Sequence, residues 1–306
     1  MSHQARVIVF CGKGGVGKST LSLATALKLA NAGRRVLVIS SHPLPELAVG
    51  ISLNGLSSRF PEASKRMFIL HIDPVEQISD LVHKHFPMPV IARTVLNSSI
   101  FQNLIAVAPG LKEFFFLARL QQLAERKAAG EINAPAYDDL IWDAPATGHF
   151  LSTLRAARGF ESYLSGPLSA AGAELHRFFS APDSLRMAAV TQPEEMAVAE
   201  TLELSQALMK DFGIRPATVV LNCVSPLCTA SEAEIAGLAT GTASEAMKFA
   251  VDRGSAERRI CRQLASDLPI QQVFVPRLIH SDAGKADADL DLLENAGKYL
   301  DTAQFT

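Results

Sequence analysis

Residues 12–20 read Gly12-Lys13-Gly14-Gly15-Val16-Gly17-Lys18-Ser19-Thr20. The apolar segment before them, Arg6 to Cys11, predicts a β-strand, and the segment from Val16 to Asn31 predicts an α-helix. The spacing G-x-x-x-x-G-K-[ST] between strand and helix is that of a phosphate-binding loop. Glycines adopt backbone angles closed to other residues, so successive N–H groups can surround a phosphate, and the helix dipole favours the same anion. The stretch therefore predicts a nucleotide-binding α/β fold.

The polar residues of this loop have separate expected roles. Lys18 would neutralise the β and γ phosphates, and the Ser19 hydroxyl would complete the ligand shell of Mg²⁺. The remaining contacts to the phosphates would come from the loop residues Gly14, Gly15, Val16, Gly17 and Thr20. The loop thus predicts a nucleotide and Mg²⁺ as ligands.

Short β-branched, apolar runs recur along the chain and predict seven strands. Most are continuously apolar, which is typical of strands covered on both faces, and helical segments separate them. We therefore expect a doubly wound, mainly parallel sheet in a single P-loop domain over residues 1–306. The predicted strands are Arg6 to Cys11, Arg35 to Ser40, Met67 to Ile72, Leu140 to Asp143, Met187 to Thr191, Ala217 to Asn222 and Gln272 to Val275.

One helix boundary has an explicit signal. The tetrapeptide Thr191-Gln192-Pro193-Glu194 has the spacing of a capping box with an early proline, and it predicts a helix that Gly213 ends. Met196, Leu202, Met209 and Phe212 lie among the apolar positions of this helix.

Two stretches contain more helix than simple β-α alternation needs. We interpret residues of approximately 75–135 and 150–185 as a helical subdomain inserted into the core. Its apolar residues, including the cluster around Phe114, either line a groove for a partner or pack against the core in the ordinary way, and for the Phe114 cluster we favour ordinary packing.

Composition excludes several classes of protein. The net charge of −2 gives no electrostatic reason to bind nucleic acid. The first residues lack the apolar segment of a signal peptide, and no run approaches the length of a membrane span, so a cytoplasmic location is expected. The four cysteines, Cys11, Cys223, Cys228 and Cys261, do not have the spacing of a zinc site, and we interpret them as incidental or structural thiols, with a redox or metal role as the alternative.

An acid at the end of an apolar strand points to the metal site. Leu140-Ile141-Trp142-Asp143 is such a strand, and the carboxyl end of a strand in this fold stands beside the phosphate loop. Asp143 could there hold a water of the Mg²⁺ shell, and the glycine and proline that follow suit a loop that rearranges when the γ phosphate leaves.

Lys13, near the start of the loop, introduces a family resemblance. The form G-K-G-G-V-G-K-[ST] resembles the deviant Walker A loop of dimeric ATPases that include MinD, the nitrogenase iron protein, the ArsA arsenite-pump ATPase and the tail-anchored-protein targeting ATPases. The resemblance implies that ATP is the nucleotide. It also implies that Lys13 reaches the partner's nucleotide across a dimer, the alternative being a solvated lysine.

Further motifs resemble the ArsA and tail-anchored targeting branch. Asp143, Thr147, Gly148 and His149 keep the spacing of its switch II, D-T-A-P-T-G-H, although Pro145 sits one place early. The resemblance also implies adenine contacts by Asn222, at the end of an apolar strand, and less firmly by Pro276. A plain turn residue is the alternative for Asn222.

Departures from the family place parts of its activity in doubt. His42 stands where the family has the switch I aspartate that positions water, and the C-x-x-C zinc pair is absent. Beside a triphosphate the imidazole would favour its protonated form, so His42 would stabilise charge instead of acting as a base. Losing a general base typically slows a reaction by about 10² to 10⁴. A solvent-facing His42 is the alternative.

These residues predict an ATP-binding, ATP-hydrolysing dimer whose nucleotide state controls binding of a hydrophobic or membrane-associated client, with Lys13, His42 and Asp143 in the catalytic site. The runner-up is a non-hydrolysing regulatory subunit that pairs with a catalytic relative. A third reading, the driver of an arsenite pump, is weakened because the cysteines do not cluster along the sequence.

Overall fold

The computed structural model describes residues 5–41, 56, 59–73, 77, 98, 110–125, 137–163, 167–181, 184–231, 233–235, 245–278 and 285–300. Within these ranges a seven-stranded sheet has the order β3-β2-β4-β1-β5-β6-β7, and every pair of neighbours is parallel. The predicted doubly wound α/β fold is thereby confirmed. The strands are β1 Arg6–Gly12, β2 Val36–Ser40, β3 Met67–His71, β4 Asp139–Ala146, β5 Leu185–Thr191, β6 Thr218–Val224 and β7 Gln271–Pro276.

Alternating side chains of the strands enter two separate cores. Leu140, Trp142 and Ala144 of β4 belong to the core on one face, and Ile141 belongs to the core on the other. Because both faces are covered, the strands read as continuous apolar runs in the sequence.

Helices cover the two faces of the sheet unequally. The α1 and α9 helices pack together on the face that carries Ile141, and α3 to α6 lie with α8 on the opposite face. The described helices are α1 Lys18–Asn31, α2 Pro61–Ser64, α3 Leu111–Ala124, α4 Thr147–Tyr163, α5 Pro167–Ser180, α6 Glu195–Phe212, α7 Pro226–Thr229, α8 Glu245–Asp267 and α9 Lys285–Tyr299.

The predicted start of α6 is wrong and its predicted end is confirmed. Thr191 pairs with Leu221 as the last residue of β5, so its backbone belongs to the sheet and cannot cap the helix. The N-cap is Glu194, and no side chain bonds the first amides there. Gly213 ends the helix with φ 70°, the left-handed conformation usual at this position. Met196 and Met209 are exposed, so the buried face of α6 is narrower than its apolar positions suggest.

Helices α3, α4 and α5 pack on one another and on the sheet. Phe114 and Phe116 of α3 are buried, and the Phe116 ring lies 5.2 Å from that of Trp142 in β4. The interpretation of the Phe114 cluster as ordinary core packing is therefore confirmed. Outside residues 160–168, whose side chains are not described, these three helices expose no large apolar side chain. The division into a core and a helical subdomain stays a prediction.

Candidate functional site

The glycines of the phosphate loop have the backbone geometry that the motif requires. Gly15 and Gly17 have φ angles of 84° and 94°, which side chains of other residues disfavour. Gly12, with φ 144°, packs so closely on β5 that a Cβ atom would lie 2.1 Å from the Val190 carbonyl oxygen. Among the described residues nothing lies within 4 Å of a Cβ atom placed on Gly14, so none of them sterically requires glycine there.

Helix α1 begins at Lys18, two residues after the predicted start, and Gly17 is its N-cap. Because glycine has no side chain, none bonds the first amides of the helix, and the first turn contains no acidic residue. An anion at this end would meet unobstructed N–H groups and the positive end of the dipole.

Two side chains stabilise the shape of the phosphate loop by hydrogen bonds to its backbone carbonyl groups. The Lys18 ammonium donates to the Lys13 carbonyl at 2.8 Å, and burial lowers the pKa of Lys18 against the opposing effect of Asp143. The Asn222 amide donates to the Val16 carbonyl at 2.8 Å. A Cβ atom on Gly17 would lie 2.3 Å from the Asn222 amide nitrogen. Asn222 therefore braces the loop, a contact that the sequence did not reveal.

Asp143 stands beside the first turn of α1. Its carboxylate accepts hydrogen bonds from Ser19 at 2.6 Å and from Ser22 at 3.4 Å, and the residue is only 1% exposed. One hydroxyl and one carboxylate, both hard oxygen donors, fit Mg²⁺, which prefers few protein ligands and takes its others from water and phosphate. No group of three or more metal-ligating side chains occurs among the described residues. Ser22 was not predicted, although it follows Ser19 by one helical turn.

The switch II sequence forms a strand that runs directly into a helix. Strand β4 continues through Ala146, and α4 begins at Thr147, so the loop that Pro145 and Gly148 predicted is absent between these elements. Pairing of Gly12 with Ala146 across a register shift extends β4. Within the described chain, the buried Thr147 hydroxyl has no hydrogen-bond partner. An ordered water or a bound ligand could supply the missing partner of such a group.

Lys13 and Glu200 form an ion pair within one chain. The Lys13 ammonium lies 3.9 Å from the Glu200 carboxylate of α6, and the two side chains are 38% and 32% exposed. Glu200 was not singled out by the sequence, because nothing in its spacing links α6 to the phosphate loop.

A cavity of about 450 Å³ opens beyond β5, β6 and β7 at the carboxyl edge of the sheet. Cys223, one of its lining residues, has φ 58°, the left-handed conformation, where β6 bulges between Leu221 and Val224. The lining residues are Gln192, Pro193, Glu194, Glu195, Met196, Cys223, Arg253, Ala256, Glu257, Ile260 and Arg277.

The predicted site residues converge in part. The loop from Lys13 to Thr20, Asp143 and Asn222 come together, and Pro276 ends β7 opposite Val224, close in the sheet to Asn222. His42 lies outside the described residues. Among the described helices, none is long and apolar enough to cross a membrane.

Comparisons with known proteins identify the family. The profile of the anion-transporting ATPase family (ArsA ATPase) matches residues 5–172. The chain is 29% identical over 177 residues to "Putative arsenical pump-driving ATPase" of Chlorobaculum tepidum, which covers 54% of this chain and 41% of that protein. It is 27% identical over 256 residues to "Putative arsenical pump-driving ATPase 2" of Aquifex aeolicus, covering 72% and 81%.

A fungal relative matches a similar part of the chain. The chain is 29% identical over 161 residues to "ATPase GET3" of Chaetomium globosum, covering 52% of this chain and 45% of that protein. The chain thus spans less than half the length of two of the three relatives. The family match covers more than half of the chain and includes the phosphate loop and Asp143, so the chain belongs to the anion-transporting ATPase (ArsA-like) family.

Proposed function

We propose that the chain binds ATP with Mg²⁺ at the carboxyl edge of its sheet and works as a nucleotide-gated dimer that hydrolyses ATP. The observation that carries this proposal is the contact between Ser19 and Asp143 beside a phosphate loop whose glycines have left-handed backbone angles. The match to a family of ATPases gives independent support.

The nucleotide phosphates would lie against the first amides of α1. Lys18 is held at the same place by the Lys13 carbonyl, and an ammonium has three protons, so it can donate to the phosphates as well. Because Lys18 is 9% exposed, its charge acts in surroundings where water screens it weakly. Asn222 would hold the phosphate loop in place through its hydrogen bond to Val16, and the adenine base would bind close to Asn222.

Mg²⁺ would be held by the Ser19 hydroxyl and, directly or through water, by Asp143. When bound, the ion would neutralise charge on the phosphate oxygens. Ser22 would keep the Asp143 carboxylate oriented from the next turn of α1. The Thr147 hydroxyl, buried at the start of α4, would donate to the γ phosphate or to the attacking water.

Calorimetry with Mg-ATP tests the nucleotide site. Lys18→Ala is expected to abolish measurable affinity, because the backbone amides cannot replace its charge. Lys65→Ala is a suitable control, because Lys65 is exposed and pairs with Glu62 on the surface. Wild-type affinity in Lys18→Ala would overturn the assignment.

The dimer would depend on Lys13 changing partners. Lys13 is paired with Glu200 of its own chain and is partly exposed, so a phosphate of a second chain's nucleotide can compete for it. Lys13→Ala should bind ATP nearly normally and lose the ATP-dependent dimer and any hydrolysis. Analytical ultracentrifugation with a non-hydrolysable ATP analogue measures this, and an unaltered dimer would remove Lys13 from the intersubunit role.

A non-hydrolysing regulatory subunit is the second candidate, because the sequence places His42 where the family has a water-positioning aspartate. Steady-state ATPase activity of the chain alone, and mixed with a co-purifying relative, separates the two functions. If His42 disables water positioning, His42→Asp should raise the hydrolysis rate and leave ATP affinity unchanged, since binding rests on the phosphate loop. A lower rate in this variant would show that His42 itself assists the reaction.

A hydrophobic or membrane-associated client, carried over from the family resemblance, is the remaining part of the proposal. The described surfaces of α3, α4 and α5 give it no exposed apolar groove. A pull-down in the ATP state, compared with the same experiment on Lys18→Ala, tests whether such a client binds at all.

A further inference from the structure

Two buried cysteines meet where the turn after β6 packs against α8. Cys228 lies on α7 and Cys261 on α8, and their sulfur atoms are 3.8 Å apart. Their exposed fractions are 6% and 5%. A disulfide has a sulfur–sulfur distance of about 2.0 Å, so a shift of about 1 Å by each sulfur would form the bond. The two cysteines are 33 residues apart, so no local sequence motif indicates that they form a pair.

Several contacts outside the pair hold α7 against α8. The Arg258 guanidinium donates to the carbonyl oxygens of Leu227 and Cys228 at 2.8 and 3.2 Å, and it also reaches the Ala230 carbonyl. The Glu257 carboxylate accepts from the Ser225 amide at 2.7 Å. Gly254 permits close approach, because a Cβ atom there would lie 2.6 Å from Cβ of Leu227. These contacts bring the two thiols together before any bond forms.

The two thiols are not equivalent. Either sulfur can donate in this contact, and the arrangement in which Cys261 donates lowers the pKa of Cys228. The same hydrogen bond and burial raise the pKa of Cys261. Because the thiolate is the reactive form, this arrangement makes Cys228 the first thiol to react and Cys261 the second.

We propose that Cys228 and Cys261 are a modification site at which a peroxide produces a reversible disulfide. This inference rests on the contacts of α7 and α8 and is independent of the proposed nucleotide site. A small oxidant suits the burial of both sulfurs, whereas a bulky disulfide such as oxidised glutathione would be excluded.

The reaction with hydrogen peroxide balances in two steps. The Cys228 thiolate attacks one peroxide oxygen, the O–O bond breaks, and the leaving hydroxide takes up a proton to become water. The product is a sulfenic acid on Cys228. Cys261 sulfur then attacks Cys228 sulfur, the S–O bond breaks, and the proton of Cys261 leaves with the hydroxide as a second water. Two thiols are oxidised and one peroxide is reduced to two waters.

Peptide mapping of the folded full chain after hydrogen peroxide treatment tests the proposal. Trypsin leaves Cys223 and Cys228 on one peptide, so the map is made on the Cys223→Ser variant as well as on the wild type. We expect a peptide pair joined through Cys228 and Cys261, lighter by two hydrogens than the separate peptides and separated by dithiothreitol. Closing this loop should raise the thermal midpoint by about 5 °C or more.

Two further arms make the outcome decisive. Cys261→Ser removes the second thiol, so peroxide should leave a sulfenic acid on Cys228. Dimedone, added after the peroxide is removed and while guanidinium chloride unfolds the chain, should label that sulfenic acid. In guanidinium chloride the preference for this pair over other cysteine pairs should vanish. Oxidation of the more exposed Cys223 while Cys228 and Cys261 stay reduced would overturn the proposal, as would equal pairing among all cysteines in the folded chain.

Discussion

Strand β4 has two buried aspartates, Asp139 at the edge of the sheet formed by the amino ends of the strands and Asp143 toward the edge formed by their carboxyl ends. We call these the amino edge and the carboxyl edge. Both lie on the face that α1 covers, and α1 with its following turn reaches each of them. Ser19, in the first turn of α1, donates to Asp143, and Arg34, after its last turn, donates to Asp139. Strand β4 thus provides two buried acids, and α1 with its following turn provides a hydrogen-bond donor for each.

The hydrogen-bond donors to the two acids differ in charge. Asp139 is held by two guanidinium groups: Arg6 donates at 2.7 Å, and Arg34 donates through two nitrogens. This hydrogen bond to Asp139 raises the pKa of Arg34. At Asp143 the hydrogen bonds come from the neutral hydroxyls of Ser19 and Ser22, and the Lys18 ammonium acts on the carboxylate through its charge. Guanidinium groups neutralise a buried carboxylate permanently, whereas hydroxyls can make way for a cation. The contacts at Asp139 therefore suit a structural role, and those at Asp143 suit the proposed Mg²⁺ site.

A substitution at the amino edge should lower the unfolding free energy more than any other substitution that we propose. Asp139→Ala would remove the shared acceptor of Arg6 and Arg34, whose side chains are 18% and 39% exposed and can be hydrated. Each hydrogen bond to a charged group contributes about 1.5 to 3 kcal/mol, so a loss of about 3 kcal/mol of unfolding free energy is expected. Urea unfolding measures this loss. Asp138→Asn is the matched control, because Asp138 is exposed and accepts from the Arg35 amide. A loss below about 1 kcal/mol in Asp139→Ala would show that the arginine cluster is not structural.

A substitution at the carboxyl edge should impair Mg²⁺-dependent ATP binding and leave the unfolding free energy nearly unchanged. Asp143→Asn preserves the shape of the side chain and one acceptor oxygen, replaces the other oxygen by an NH₂ donor, and removes the charge. The gain in ATP affinity that Mg²⁺ provides should therefore fall by about ten- to a hundred-fold, a size typical of a lost charged hydrogen bond. Calorimetric titration of ATP at several Mg²⁺ concentrations tests this. An unchanged Mg²⁺ dependence would place the metal elsewhere, and a loss of stability as large as that of Asp139→Ala would end the contrast between the edges.

Features with a local signal could be predicted from the sequence, whereas contacts between residues distant in the chain could not. The phosphate loop and the seven strands were predictable, because a motif spacing and continuous apolar runs lie within single segments. The Asn222 brace, the Lys13–Glu200 pair and the Cys228–Cys261 pair join residues far apart in the chain. Only the fold brings them together. The capping box at Thr191 failed because pairing of β5 with β6 claims its backbone.

The Asn222 brace should have an intermediate effect. Asn222→Ala would leave the Val16 carbonyl without its donor, a loss of about 1 to 3 kcal/mol where the group stays buried. The loss should fall on ATP affinity as well as on unfolding free energy, because the braced carbonyl belongs to the phosphate loop. Asn222→Ala removes both the hydrogen bond to Val16 and any contact with the base. To separate these two effects, the affinities of the variant for ATP and for GTP are compared. A fall in ATP affinity alone would favour a direct adenine contact, and an equal fall for both nucleotides would favour the brace.

The smallest effect is expected at Glu200, whose pair with Lys13 is partly exposed at both ends. Exposed ion pairs contribute about 0 to 1 kcal/mol, so Glu200→Gln should leave unfolding free energy nearly unchanged. If Glu200 holds Lys13 within its own chain, the variant frees the lysine, and the ATP-dependent dimer should tighten by up to about five-fold, as a difference of about 1 kcal/mol implies. Ultracentrifugation with a non-hydrolysable ATP analogue provides the measurement, and Glu203→Gln, an exposed acid on the same helix, is the control. A weaker dimer in Glu200→Gln would mean that Glu200 orients Lys13 toward the second chain instead of restraining it.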